Sequence, residues 1–321
     1  MVSGCRRAAW SELAGRGKPG GRVDSGCTAF FHYMDRGSLL NRTKRELRRL
    51  DLQAKKGLGQ HFLVDEGVLR SLIKAIGLTT DDIVIEVGPG LGILTKELAK
   101  GSGKVIAVEV DTRMASALQE NLASWPNVTV INTDILECDP LSLLGIETQY
   151  KVVGTLPYYI ATAVLRHFLE SPIKPHSMVV TLQKEVAQAI VAPPGRMSLL
   201  SISVQFYGKP IIMDYVSAKS FYPQPTVESA IMRIDLHEHP PVEVADEAKF
   251  FSVVRGGFRA PRKKLRNSLA LGLEMAVGEA EALLKQAGIS PSRRAETLSL
   301  EDWAQVYRVF SKPDGGPINV D

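Results

Sequence analysis

Cysteine is scarce in this chain. Cys5, Cys27 and Cys138 are the only three among 321 residues. They are odd in number, widely spaced and without a C-x-x-C pair, which supports neither a disulfide framework nor a zinc site. A reducing, cytoplasmic setting is the default expectation. No apolar run approaches the roughly 20 residues that cross a bilayer, so an integral membrane protein is not expected. Neither sign of charge dominates: 39 Lys and Arg face 35 Asp and Glu, a mildly basic balance that selects no partner by itself. Internal repeats are also missing. The apolar fraction of 45% and charged fraction of 23% are those of an ordinary globular protein, and the length allows two domains of about 150 residues each.

Residues 1–35 are rich in Gly, Arg and Ser and lack apolar periodicity, so a disordered extension is expected there. Its arginines form no amphipathic stripe that would support a transit peptide, and translation from Met34 is an alternative. A basic segment follows over 40–52, with Arg42, Lys44, Arg45, Arg48 and Arg49 alternating with leucines, and reads as a short helix. From there strands alternate with helices, the pattern of a mostly parallel sheet covered on both faces. Strands are expected at 83–87, 104–109, 128–132, 151–154 and 177–182, then an antiparallel pair at 211–216 and 229–236, which too few residues separate for a crossover. After Pro240-Pro241 the pattern is helical only, at 248–257, 262–273, 276–287 and 300–310. The domains expected are an α/β domain over 36–240 and a helical domain over 241–312, followed by a loose tail over 313–321.

Glu86-Val-Gly-Pro-Gly-Leu-Gly92 follows the first strand of the sheet. Its glycines let the backbone turn tightly and approach a ligand that side chains would block. The spacing is G-x-G-x-G, so the dinucleotide fingerprint G-x-G-x-x-G fails by one residue. Glu109 ends the second strand, where a carboxylate can accept two ribose hydroxyls. Asp134 stands just beyond the third strand, where the amino group of an adenosyl cofactor would lie. Any one of Glu86, Glu109 and Asp134 could simply cap a helix or loop. Three acids at or near successive strand ends favour S-adenosylmethionine over NAD.

The run Val152-Val-Gly154 stops at Thr155-Leu-Pro-Tyr158. Pro157 stiffens the backbone and removes a donor, leaving carbonyls and a ring at the ligand-bearing edge of the sheet, which suits a planar heterocycle carrying an amino group. The exocyclic amine of adenine is a poor nucleophile, because its lone pair is delocalised into the ring. Acceptors aimed at the N6 protons, here the carbonyls of Leu156 or its neighbours, would favour a pyramidal nitrogen. Stacking on Tyr158 would hold the base, at about 1–3 kcal/mol.

These motifs, with Leu58-Gly-Gln-His-Phe-Leu63, Glu109-Val-Asp111, Leu182-Gln-Lys-Glu-Val186, Phe221-Tyr-Pro-Gln-Pro-Thr-Val-Glu-Ser229 and Arg262-Lys-Lys-Leu-Arg-Asn-Ser-Leu269, occur in order. Over roughly residues 55–310 the chain resembles the KsgA family of small-subunit ribosomal RNA adenine N6,N6-dimethyltransferases, whose drug-resistance relatives act on large-subunit rRNA. The resemblance implies a Rossmann-like class I S-adenosylmethionine-dependent methyltransferase with a small C-terminal all-helical domain that binds RNA. It needs no metal. It would act as a monomer on two adjacent adenines in the 3′-terminal hairpin of 16S rRNA within an assembling 30S particle. The cofactor contacts it implies fall on His61, Leu63, Gly88, Gly90, Glu109, Asp134 and Thr155. Leu156, Pro157, Tyr158 and Thr155 would hold the target base, with Phe221 as a second stacking ring opposite Tyr158. Thr155 departs from the Asn, or sometimes Asp, of the family. It is shorter and β-branched, so its reach toward the amine is reduced, and activity could be slower or stop at one methyl.

Arg255, Arg259, Arg262, Lys263, Lys264 and Arg266 lie close together with no acid among them. With Arg293 and Arg294 they could line a cleft that binds phosphates in a salt-dependent manner with little sequence information. RNA shape and a flipped base would then supply selectivity. A large-subunit resistance methyltransferase, a non-catalytic ribosome assembly factor and, more remotely, a dehydrogenase stay open as alternatives.

Overall fold

A computed structural model describes residues 38–51, 59–145 and 149–312. The extension expected over 1–35, the tail over 313–321 and Leu58 lie outside the described residues. In chain order the elements are α1 (Leu39–Arg49), β1 (Phe62–Leu63), α2 (Glu66–Ile76), β2 (Ile83–Val87), α3 (Ile93–Gly101), β3 (Lys104–Glu109), α4 (Thr112–Asn121), β4 (Val128–Asn132), α5 (Pro140–Leu144), β5 (Lys151–Thr155) and α6 (Tyr158–Leu169). Then come β6 (Ser177–Gln183), α7 (Lys184–Ile190), α8 (Leu199–Tyr207), β7 (Gly208–Val216), β8 (Phe221–Tyr222), β9 (Ser229–Leu236), α9 (Glu247–Gly257), α10 (Leu265–Gly272), α11 (Val277–Gln286) and α12 (Leu300–Phe310).

The main sheet has the order β4-β3-β2-β5-β6-β9-β7. Its first five strands are parallel, and β9 runs antiparallel to both β6 and β7. Helices cover both faces, so the inner strands are continuous apolar runs in place of an alternation; Val84, Ile85, Val152 and Val153 are fully buried. β7 begins earlier than the sequence pattern suggests and includes Pro210, which an edge strand tolerates because the missing N–H faces no neighbour.

Two features matter for the site. First, β2 pairs directly with β5, Val87 opposite Gly154, while the chain leaves β2 toward β3 and β4 on the other side. That is the point where the strand order reverses, and open α/β sheets bind ligands in the crevice beyond the strand ends there. Close passage of β5 requires Gly154: an added Cβ would lie 2.8 Å from the Val87 carbonyl oxygen. Second, β1 and β8 form a separate two-stranded antiparallel ribbon, Phe62 opposite Tyr222 and Leu63 opposite Phe221. The ribbon is tied further by Ser220, whose hydroxyl donates to Asp65 at 2.9 Å and whose carbonyl accepts from the Val64 N–H at 2.8 Å.

The sequence pattern does not anticipate this ribbon, nor α2, α6 and α8. Pro157 has the look of a strand terminator, and it also sits at the N-cap of α6, whose buried Ala161, Val164, Leu165 and Phe168 recur at helical spacing. The four C-terminal helices bury Phe250, Leu269, Leu284 and Trp303 in one apolar cluster that continues into Met178, Val180 and Phe206 of the sheet region. α9 and α10 cross closely at Gly256 and Gly272, where an added Cβ on Gly272 would collide with the Gly256 backbone.

Candidate active site

The cleft beyond the ends of β2, β3, β4 and β5 has a volume of about 890 Å³, open solvent included, within the usual range for small-molecule sites. Its floor is apolar, from Val87, Val108, Ile135 and Ile160. Gly88, Gly90 and Gly92 all adopt positive φ, and at Gly90 a side chain would also meet the Phe62 ring at 3.2 Å. The Gly88 N–H donates to the Val108 carbonyl at 3.0 Å, anchoring the loop to the neighbouring strand.

Glu109 closes β3. Its Oε2 accepts from the Gly90 N–H at 3.1 Å and its Oε1 from the Asp111 N–H at 3.0 Å. The carboxylate therefore braces the glycine loop and still has one lone pair per oxygen for a ligand. Burial raises its pKa above the ordinary carboxylate value. Asp134 does cap the short helical turn that follows it, accepting from the Leu136 N–H at 2.9 Å through Oδ1. Its Oδ2 remains for an amino group. Capping and ligand binding are thus compatible at both acids.

Glu86, one strand over, is 2% exposed and its Oε2 has no hydrogen-bond partner among the described residues. Burial, with the nearby Glu109 charge acting in the same direction, pushes its pKa up to about 8. Acceptors at the ribose and amine ends, a glycine cradle and an apolar floor together fit an adenosyl cofactor. Among the described residues no group of three or more His, Cys, Asp and Glu side chains could hold a metal ion.

On the opposite wall the cleft is lined by Thr155 and Pro157, and by His61 and Leu63 from the approach to the ribbon and its second residue. The Thr155 hydroxyl makes no hydrogen bond among the described residues. Leu156 points its side chain into the main core at 3% exposure, so only its backbone can serve a substrate. The Pro157 carbonyl is already taken by the Ile160 N–H at 3.1 Å. The half-buried Tyr158 ring is held by a 2.7 Å bond between its hydroxyl and Ser229 Oγ and lies against His61, with ring centroids 5.9 Å apart and planes 28° from parallel.

Phe221 departs from expectation. It is 5% exposed and belongs to an apolar cluster with Leu63, Val216 and Ile231, because ribbon pairing places it opposite Leu63. In this conformation it offers no open ring face to a base. Tyr159, which no sequence signal singles out, is instead 60% exposed on the cleft rim. The other unforeseen contributors are Ser229 and Pro223, both within the Phe221–Ser229 motif, and α1, whose Leu47 joins Phe62, Leu91 and Met114 beside the cleft.

The basic segment runs from Arg255 in the last turn of α9, through the connection, to Arg266 in the first turn of α10. Arg255, Arg259, Arg262, Lys263 and Lys264 are exposed. The loop is shaped from within by Ser268, which accepts from the Ala260 N–H at 2.9 Å. Arg266 differs: its guanidinium meets Glu281 of α11 at 2.9 Å, a partner brought near only by helix packing. Arg293 is likewise engaged, with Asp302 at 3.0 Å, whereas Arg294 is exposed.

The sheet order and the cleft define a class I S-adenosylmethionine-dependent methyltransferase. The family model for ribosomal RNA adenine dimethylase matches residues 51–312. A "Ribosomal RNA small subunit methyltransferase A" of Dehalococcoides mccartyi is 47% identical over 275 residues, covering 86% of this chain and 94% of the relative. The protein of the same name from Enterococcus faecalis is 39% identical, covering 85% and 95%. Among solved structures, the 23S rRNA methyltransferase ErmE aligns with a TM-score of 0.63 at 29% identity, covering 78% of this chain and 100% of that one. A dimethyladenosine transferase from Plasmodium falciparum has the same fold, with a TM-score of 0.66 at 21% identity, covering 77% and 96%. The chain belongs to the ribosomal RNA adenine dimethylase family.

Proposed function

We propose that this protein dimethylates N6 of two adjacent adenines in the 3′-terminal hairpin of small-subunit rRNA, using S-adenosylmethionine, during assembly of the 30S particle. The observation that carries this reading is the meeting of two motifs distant in sequence. Pairing of β2 with β5 brings the glycine loop together with Thr155 and Pro157, the two residues of Thr155-Leu-Pro-Tyr158 that line the same cleft. The cofactor, when bound, supplies an electrophilic methyl group on a sulfonium. Glu109 and Asp134 hold its nucleoside end, Gly88 and Gly90 admit it to the backbone, and His61 and Leu63 flank it. The Thr155–Tyr158 wall receives the adenine: Tyr158 stacks the base, while the Thr155 hydroxyl and the Leu156 carbonyl orient its amine. Phe221 serves as the second ring only if the ribbon opens toward the substrate.

The exposed cations from Arg255 to Lys264 give region 241–312 its RNA-binding role through phosphate contacts, with Arg266 as a brace of that surface. The protein works in the cytoplasm as a monomer. No helix among the described residues is long and apolar enough to cross a membrane. Small-subunit methylation is favoured over the large-subunit alternative because the relatives at 39–49% identity carry the small-subunit name. Incubation with labelled S-adenosylmethionine and ribosomal subunits lacking the modification tests this. Label is expected in small-subunit rRNA, and label confined to large subunits overturns the assignment.

A further inference from the structure

His61 lines the cofactor cleft where the family resemblance implies a contact, and its ring also has partners on the target side. Its Nδ1 lies 2.7 Å from the Pro223 carbonyl oxygen. A carbonyl only accepts, so Nδ1 carries the proton and donates. The same ring stacks on Tyr158, whose hydroxyl is fixed by Ser229. Three segments converge on this one imidazole: the approach to β1, the Phe221–Ser229 motif through Pro223, and the start of α6 through Tyr158. We infer that His61 is a positioning residue for the target base, a clasp that joins the two ring-bearing motifs and sets the plane of Tyr158. This inference rests on the reading of Tyr158 as the base-stacking ring.

The two attachments can be severed separately. His61→Phe keeps a ring and loses the donor, His61→Asn keeps a short donor and loses the ring, and His61→Ala loses both. One hydrogen bond or one ring contact corresponds to a change of roughly 3- to 10-fold. Each of the first two variants is expected to lower kcat, or raise KM for RNA, by that factor. Alanine is expected to cost about the product of the two. In a Tyr158→Ala background the His61 variants should add little, because the ring they position is gone.

Fluorine NMR of 3-fluorotyrosine protein, with the Tyr158 signal assigned by Tyr158→Phe, reads the clasp without substrate. The signal should shift or broaden in all three variants. An unmoved Tyr158 signal, or His61 variants that cost as much in the Tyr158→Ala background as in wild type, overturns the inference. Wild-type protein that methylates no rRNA adenine would instead defeat the proposed function, while the NMR result still decides the clasp.

Discussion

The two walls of the cleft are built differently. The cofactor wall rests on backbone conformation and strand ends: positive-φ glycines after β2, Glu109 at the end of β3 and Asp134 just past β4. The target wall rests on side chains delivered by pairings between distant segments: the β1–β8 ribbon, the Tyr158–Ser229 bond and the His61 clasp. Each carboxylate on the cofactor wall also has a structural duty. On the target wall the Thr155 hydroxyl has no hydrogen-bond partner among the described residues and Phe221 is packed away. The first wall is therefore preorganised for its ligand, while the second is completed by the substrate.

The contrast is broken most forcefully at Glu109. Glu109→Ala removes acceptors for the ribose and the brace on Gly90 together, at about 3 kcal/mol for several buried bonds, or roughly a 100-fold weaker cofactor Kd. Calorimetric titration checks it, and unchanged affinity would show the wall is not built around this carboxylate.

Next is Glu86. Its folded-state pKa of about 8 lies above the ordinary value of 4.5, so the folded protein holds a proton that the unfolded chain releases. Stability therefore falls as pH rises from about 4.5 toward about 8 and levels off beyond. Glu86→Gln should flatten that slope and raise Tm most at pH 8 and above, by an effect of order a few kcal/mol. Thermal melts across pH 5 to 9 would show it, and parallel curves for the two proteins would contradict it.

A smaller effect is expected at the basic loop. Lys263→Glu with Lys264→Glu should weaken RNA binding for all sequences alike and make the slope of log K against log salt shallower, by about 1 for each phosphate left without its cation. Arg266→Ala should move that slope less, since its guanidinium already faces Glu281.

The smallest change sharpens the target wall. Thr155→Asn restores the reach of the family amide and should raise kcat about 3- to 10-fold, the scale of one hydrogen bond. A loss would show that the threonine hydroxyl is already the better partner.

Legibility in the sequence follows the same division. The strands at 83–87, 104–109 and 128–132, with their glycines and acids, are readable because each signal is local: a Val- or Ile-rich run, a turn residue, a carboxylate at the strand end. The position of Thr155–Tyr158 beside that loop is readable only through the family resemblance, since nothing local says that β5 pairs with β2. Burial of Phe221 and the stack of His61 on Tyr158 depend on a ribbon of two residues per strand, too short to leave a periodic trace. The engagement of Arg266 by Glu281 and of Arg293 by Asp302 depends on helix packing, which a run of positive charge does not reveal.

The most direct test of the central claim counts methyl groups on the product. After exhaustive reaction of small subunits lacking the modification, the rRNA is digested and its nucleosides are identified by mass spectrometry. The account predicts N6,N6-dimethyladenosine at two adjacent positions, with Thr155 slowing the reaction but not ending it. N6-monomethyladenosine alone, or no methylated adenosine at all, would contradict it.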